Sequence, residues 1–131
     1  MADTNALAYL LIEGDRTAEV QALYEMDPDW IAPRLWEFEF LNILATYSRA
    51  NHLRTTTANR IWSNASSLMT GRAYEVEGSD VLAVASRLNI SAYDAQFVCL
   101  AEQINVPLIT EDRALQRKAA CAMGIQNFLN L

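Results

Sequence analysis

The chain has 131 residues, 52% hydrophobic and 20% charged, a balance that fits one folded domain with a proper core and excludes a disordered segment. Its net charge of −6 argues against a uniformly basic nucleic-acid binder. No apolar run is long enough to cross a bilayer, the first residues lack the basic start of a signal peptide, and Cys99 and Cys121 have no CxxC spacing, so a soluble cytoplasmic protein with free thiols and no membrane partner is expected.

In chain order, "MADTNALAYLL" gives a stub of strand running into a short apolar segment, and "RTAEVQALYEM" (16–26) a helix. "DWIAP" (29–33) is a short strand bounded by prolines, and "RLWEFEFLNILATYSRA" (34–50) holds no Gly or Pro and predicts a helix of four to five turns. "TTTANRIWSNASSLMTG" (55–71) predicts a second helix stopped by Gly71. "AYEVEG" (73–78) follows as a strand, then a helix over 79–90 capped by Ser79, and another capped by Ser91 and running to about Ile104. "VPLIT" (106–110) is a strand, 112–124 a helix stopped by Gly124, and "IQNFLNL" (125–131) a last strand. Strands alternating with helices imply parallel βαβ units: an α/β fold, one domain over residues 1–131, with helices covering both faces of a central sheet.

In such a fold the site lies outside the carboxyl ends of the strands, which directs attention to a few acids. Asp3 follows the first strand and Asp112 follows "VPLIT". Asp94 falls at N3 of the helix that Ser91 caps, yet Phe97, Val98 and Ala101 stand along its face. Glu39 has Leu35, Trp36, Asn42 and Ile43 as helical neighbours and no Lys or Arg one turn away, whereas Glu37 has Arg34 at i−3 as a partner. Capping explains Asp94 and Asp112 singly, and Asp3 can be read as a polar terminus. Together, four acids converging on one rim would repel each other and could not all stay ionised without a multivalent cation. Oxygen-only ligands suit Mg²⁺ or Mn²⁺. One histidine and two apolar-context cysteines leave no zinc set and no Ser-His-Asp triad, and no glycine-rich phosphate loop is present.

The charge is also unevenly spread. All 16 acids lie outside residues 40–74, while Arg49, Arg54, Arg60 and Arg72 lie inside, so this stretch carries +4 and the remainder −10. Either it is a solvated helical pair or a phosphate-contacting surface on an acidic body.

The blocks "DTNALAYLL", "WEFEFLNIL", "SAYDAQFVCLAEQINVPLITEDRAL" and the closing segment resemble, in order and spacing over essentially the whole chain, the PIN-domain family, in particular the VapC-type ribonuclease toxins of toxin–antitoxin pairs. The resemblance implies a three-layer α/β/α sandwich around a parallel sheet, and cleavage of RNA with Mg²⁺ or Mn²⁺. It places the acidic set on Asp3, Glu39, Asp94 and Asp112, with the register of "EFLNIL" selecting Glu39, and puts Asn5 and Thr110 in support of the first and last acids. It further implies a cognate antitoxin and a homodimer. One departure stands out: only Met1 and Ala2 precede Asp3, and so short a strand is expected to hold Asp3 loosely. The same fold kept as a catalytically weak module that binds antitoxin or RNA is the alternative. A receiver-like phosphoacceptor domain would need paired acids after the first strand and a lysine after the last; the chain offers "DTN" and a mid-helix Lys118.

Overall fold

A computed structural model describes residues 1–131. Eight helices and four short strands alternate along the chain: α1 (Thr4–Leu11), α2 (Thr17–Met26), β1 (Ala32–Pro33), α3 (Trp36–Arg49), α4 (Thr55–Leu68), β2 (Ala73–Tyr74), α5 (Gly78–Leu88), α6 (Ala92–Ile104), β3 (Leu108–Ile109), α7 (Arg113–Lys118), β4 (Ala122–Met123) and α8 (Ile125–Leu129). All strand pairing is parallel, as the alternation required. The single sheet expected from the sequence is realised as two pairs, β1 with β2 and β3 with β4, plus a bridge between Ala2 and Ile109. Ala32 N–H donates to Arg72 O and Arg34 N–H to Tyr74 O (both 3.1 Å), so the N–H that Pro33 lacks would face away from β2. Helix α6 packs on β1, β3 and α5, while α1 packs on α2, α3 and α4, giving the three-layer α/β/α arrangement.

The core is one cluster in which Phe40, Leu23, Val20, Val98, Leu108 and Ile125 are completely or almost completely shielded. Trp30 and Trp36 are buried, and Trp62 packs half-buried against Trp36 and Phe40. Both cysteines are free.

The helix ends are closed by short-range chemistry. Asn51, Asn89 and Asn105 all adopt the left-handed conformation (φ 59°, 53° and 57°), ending α3, α5 and α6 where asparagine tolerates a positive φ better than most residues. Gly71 does the same just past α4, at φ 71°. Ser91 caps α6 as predicted, its hydroxyl accepting from the Asp94 amide, but α5 begins one residue earlier than expected, with Glu77 before it and Ser79 inside.

The C-terminal third differs from its sequence reading. The helix expected over 112–124 stops at Lys118, the stretch before Gly124 is strand β4, and the segment expected to be the last strand is α8. The amides of β3 decide this. Leu108 N–H donates to Cys121 O (2.8 Å) and Thr110 N–H to Met123 O (2.9 Å), so buried donors that a continued helix would orphan are satisfied. Helix α8 then starts where the Glu111 carboxylate accepts from Ile125 N–H at 2.7 Å.

Candidate active site

The first strand is short but not loose. Ile109 N–H donates to Met1 O (2.8 Å) and Asp3 N–H to Ile109 O (3.1 Å), and Met1 and Ala2 are buried, so Asp3 leaves the sheet edge held by backbone bonds on the β3 side. Asp3 then caps α1, its Oδ1 accepting from Ala6 N–H at 2.9 Å. Asp112 repeats the device at the exit of β3, its Oδ1 accepting from Leu115 N–H at 3.0 Å as the cap of α7. Asp94 sits in the first turn of α6. With Glu39 in the first turn of α3, all four acids therefore stand at helix N-termini, where the aligned peptide dipoles favour negative charge. Capping and site membership, alternatives when each residue is taken alone, are compatible: a cap occupies one oxygen of a carboxylate that has two.

A cavity of about 250 Å³ is lined by Asp3, Glu39, Asp94 and Asp112 together. Glu39 reaches it from the first turn of α3, and Thr4, Asn5, Asn42 and Thr110 complete its polar wall. A second lobe of about 250 Å³ shares Asp3, Asn5, Thr110 and Asp112 and adds Glu111. None of the four acids forms an ion pair; the salt bridges of the molecule all lie elsewhere, on Glu19, Glu111, Glu75, Asp29 and Glu102. Burial pushes the Asp3 carboxyl up from the usual range, with the Thr110 hydroxyl and the Ala6 amide opposing and Glu111 and Asp112 adding to the rise. Burial raises Glu39 too, Thr4 opposing and the charges of Asp3 and Asp94 reinforcing. Asp94 is raised by burial and then by Asp112.

Other acids and arginines fall outside the cavity. Arg34 pairs with Glu75 at 3.0 Å rather than with Glu37, because β2 brings residue 75 alongside while Glu37 stays out on α3. Of the four arginines expected to face phosphate, Arg72 is tied to Asp29 (3.4 Å), whereas Arg49, Arg54 and Arg60 carry no carboxylate partner. Thr110, 2% exposed, accepts from the Asp112 amide at 3.1 Å and so shapes the turn under that acid. Asn5 lines both lobes as an exposed residue.

Two residues escape a sequence reading. Thr4, 5% exposed, donates through Oγ1 to Glu39 Oε1 at 2.7 Å, and its only prior signal is its place inside "DTN". Gln116 donates through Nε2 to Thr110 O at 2.7 Å, buttressing the same turn from α7, which nothing in its local pattern announces.

The donor set is all oxygen and free of cationic partners, with Asp3, Glu39 and Asp94 half-buried and Asp112 exposed, and it fits a hard divalent ion better than zinc. No three acidic, histidine or cysteine side chains stand in a finished chelating arrangement, so such an ion would have to draw the carboxylates inward.

The fold is thus that of an α/β protein with an acid-walled cavity at the carboxyl end of a parallel β-edge. Residues 1–120 match the family model of the PIN domain, and the chain belongs to the PIN-domain family. It is 28% identical over 122 residues to ribonuclease VapC3 of Pyrobaculum aerophilum, covering 90% of this chain and 92% of that protein. The crystal structure of PAE2754 from Pyrobaculum aerophilum superposes with a TM-score of 0.74 over 98% of this chain and 92% of the other, at 23% identity, and so shares the fold. No helix is long and apolar enough to cross a membrane.

Proposed function

We propose that residues 1–131 form a single PIN domain that acts as a metal-dependent endoribonuclease, the cytoplasmic toxin of a type II toxin–antitoxin pair. The observation that carries this reading is the convergence of Asp3, Glu39, Asp94 and Asp112, from four separate stretches of chain, on one cavity with no arginine or lysine to neutralise them. The VapC ribonuclease relative supplies the substrate class.

The four carboxylates would hold Mg²⁺ or Mn²⁺, which supplies Lewis-acid polarisation and charge neutralisation at a phosphodiester. Thr4 orients Glu39, and the rise in that carboxyl's pKa suits it to take a proton from an attacking water. Thr110 and Gln116 fix the turn carrying Asp112, and Asn5 lines both lobes beside Asp3. Arg49, Arg54 and Arg60 guide the RNA backbone; Arg72 contributes less, being engaged with Asp29. An antitoxin reaching the acidic cavity with a basic side chain would silence it, and a homodimer is the expected assembly.

The test is cleavage of single-stranded RNA in Mg²⁺, Mn²⁺ or EDTA by the native chain and by Asp94→Asn. Equal cleavage by both would remove the assignment. The second reading, a PIN module that binds antitoxin or RNA with little catalysis, is favoured by the unfinished chelate. Calorimetric titration with Mn²⁺ separates the two, since the weak module would show no binding that Asp94→Asn abolishes.

A further inference from the structure

A larger cavity, about 640 Å³, lies between the C-terminal end of α1, the C-terminal end of α3 and the body of α4, and the acid site does not use it. Its walls combine apolar Leu11, Ile12 and Ile61 with Tyr47, His52 and Arg60. The Tyr47 and His52 rings meet edge to face, centroids 6.3 Å apart and planes at 73°. That contact is fixed by backbone: Asn51 in its left-handed conformation closes α3, with His52 N–H donating to Tyr47 O (3.0 Å) and Asn51 N–H to Ser48 O (3.1 Å), the paired bonds of a Schellman motif. An aromatic pair locked by its own helix cap loses little entropy on meeting a flat ligand.

Both cavities share two helices. On α3, Glu39 and Ile43 line the acid cavity and Tyr47, on the same face, lines the second; on α1, Thr4 and Asn5 line the first, and Leu11 with the C-cap Ile12 lines the second. From Glu39 to Tyr47 the separation along α3 is about two turns, roughly 12 Å. Charge agrees with an anionic occupant. Arg60 faces the cavity, Arg49 and Arg54 flank it from the end of α3 and the start of α4, none has a carboxylate partner, and Glu13 is the one acid in the wall.

We propose that this cavity is a nucleotide subsite: it takes one base of single-stranded RNA against Tyr47 and His52, with the adjoining phosphate on Arg60, and so sets where the strand crosses the acid cavity. Asn64, in the same wall, offers an amide for a base edge. The proposal takes from the ribonuclease reading only the identity of the strand.

The test is binding, not cleavage. Anisotropy of a fluorescein-labelled single-stranded RNA of mixed sequence is followed in EDTA, in an Asp94→Asn background. Tyr47→Ala and Arg60→Gln should each weaken binding roughly 5- to 50-fold, and Arg60→Gln should flatten the dependence of log affinity on log salt by about 0.7. Tyr47→Phe, which keeps a stacking face, should bind within about twofold of the parent. On the unsubstituted chain, adenosine monophosphate should shift the amide signals of Tyr47, His52 and Arg60 before those of Asp94 and Asp112. Unchanged affinity in both substitutions, or poly-glutamate competing as well as RNA, overturns the subsite; the latter would make the surface a dock for acidic protein. A chain that never cuts RNA in Mn²⁺ would refute the nuclease reading while these binding measurements still decide the subsite.

Discussion

Thr4 and Glu39, thirty-five positions apart, are joined by a 2.7 Å hydrogen bond from hydroxyl to carboxylate. The bond ties the first turn of α1 to the first turn of α3 and holds an otherwise unpaired acid at the cavity wall. Thr4→Val, of the same shape without the donor, should cost about 1–2 kcal/mol in urea denaturation. It should also push the Glu39 carboxyl further up, since Thr4 is what opposes the rise, and move the acid limb of any rate–pH profile to higher pH. Thr4→Ser should restore both; a stable Thr4→Val with an unmoved profile would separate Thr4 from the chemistry.

Asp112 should divide into two roles by substitution. Asparagine is as good an N-cap as aspartate, so Asp112→Asn should leave denaturant stability within about 0.5 kcal/mol while abolishing metal-dependent cleavage. Asp112→Ala should lose cleavage and also about 1 kcal/mol of stability, because the Leu115 amide loses its acceptor. Full activity in Asp112→Asn would make the residue a cap and nothing more.

Stability of the metal-free chain should fall as pH rises out of the ordinary carboxylate range. Asp3, Glu39 and Asp94 all hold their protons more tightly folded than unfolded, chiefly through burial. Between the unfolded value (3.8 for Asp, 4.5 for Glu) and the raised folded value, the native state binds more protons, so ΔG of unfolding declines with pH across that window. Above it the full penalty of charging the cluster is felt. Melting temperatures in EDTA from pH 4 upward should show the decline, Glu39→Gln should reduce it and raise the neutral-pH value, and Mn²⁺ should offset it.

A network on the far side of the Asp112 turn should matter for folding more than for catalysis. Glu111 anchors the start of α8 and meets Arg16 at 3.4 Å; Arg16 also pairs with Glu19 at 2.9 Å and lies over the Tyr9 ring. Glu111→Ala should cost about 1–2 kcal/mol through the lost acceptor of the Ile125 amide. Arg16→Ala should cost less than about 1 kcal/mol, because its pairs are partly exposed. Denaturant midpoints of the two variants give the ordering.

What the sequence carried was mostly local. Ser91 and Asp112 as caps, the long α3 without Gly or Pro, and the acids placed after strand ends are all visible in short windows, because capping and helix periodicity act over three or four residues. The fate of residues 119–131 was not visible: "KAACAMG" has good helix propensity, and only the unsatisfied amides of β3, distant in sequence, draw residues 122–123 into a strand. In the same way Arg34 chose Glu75 over the nearer Glu37, and Arg72 chose Asp29, once strand pairing had fixed which surfaces meet. The sequence by itself determined which carboxylates could form a cation-seeking site. Only the tertiary structure decided that they share one cavity and that Thr4 steadies one of them, since burial and repulsion among side chains are properties of distances the linear chain does not contain.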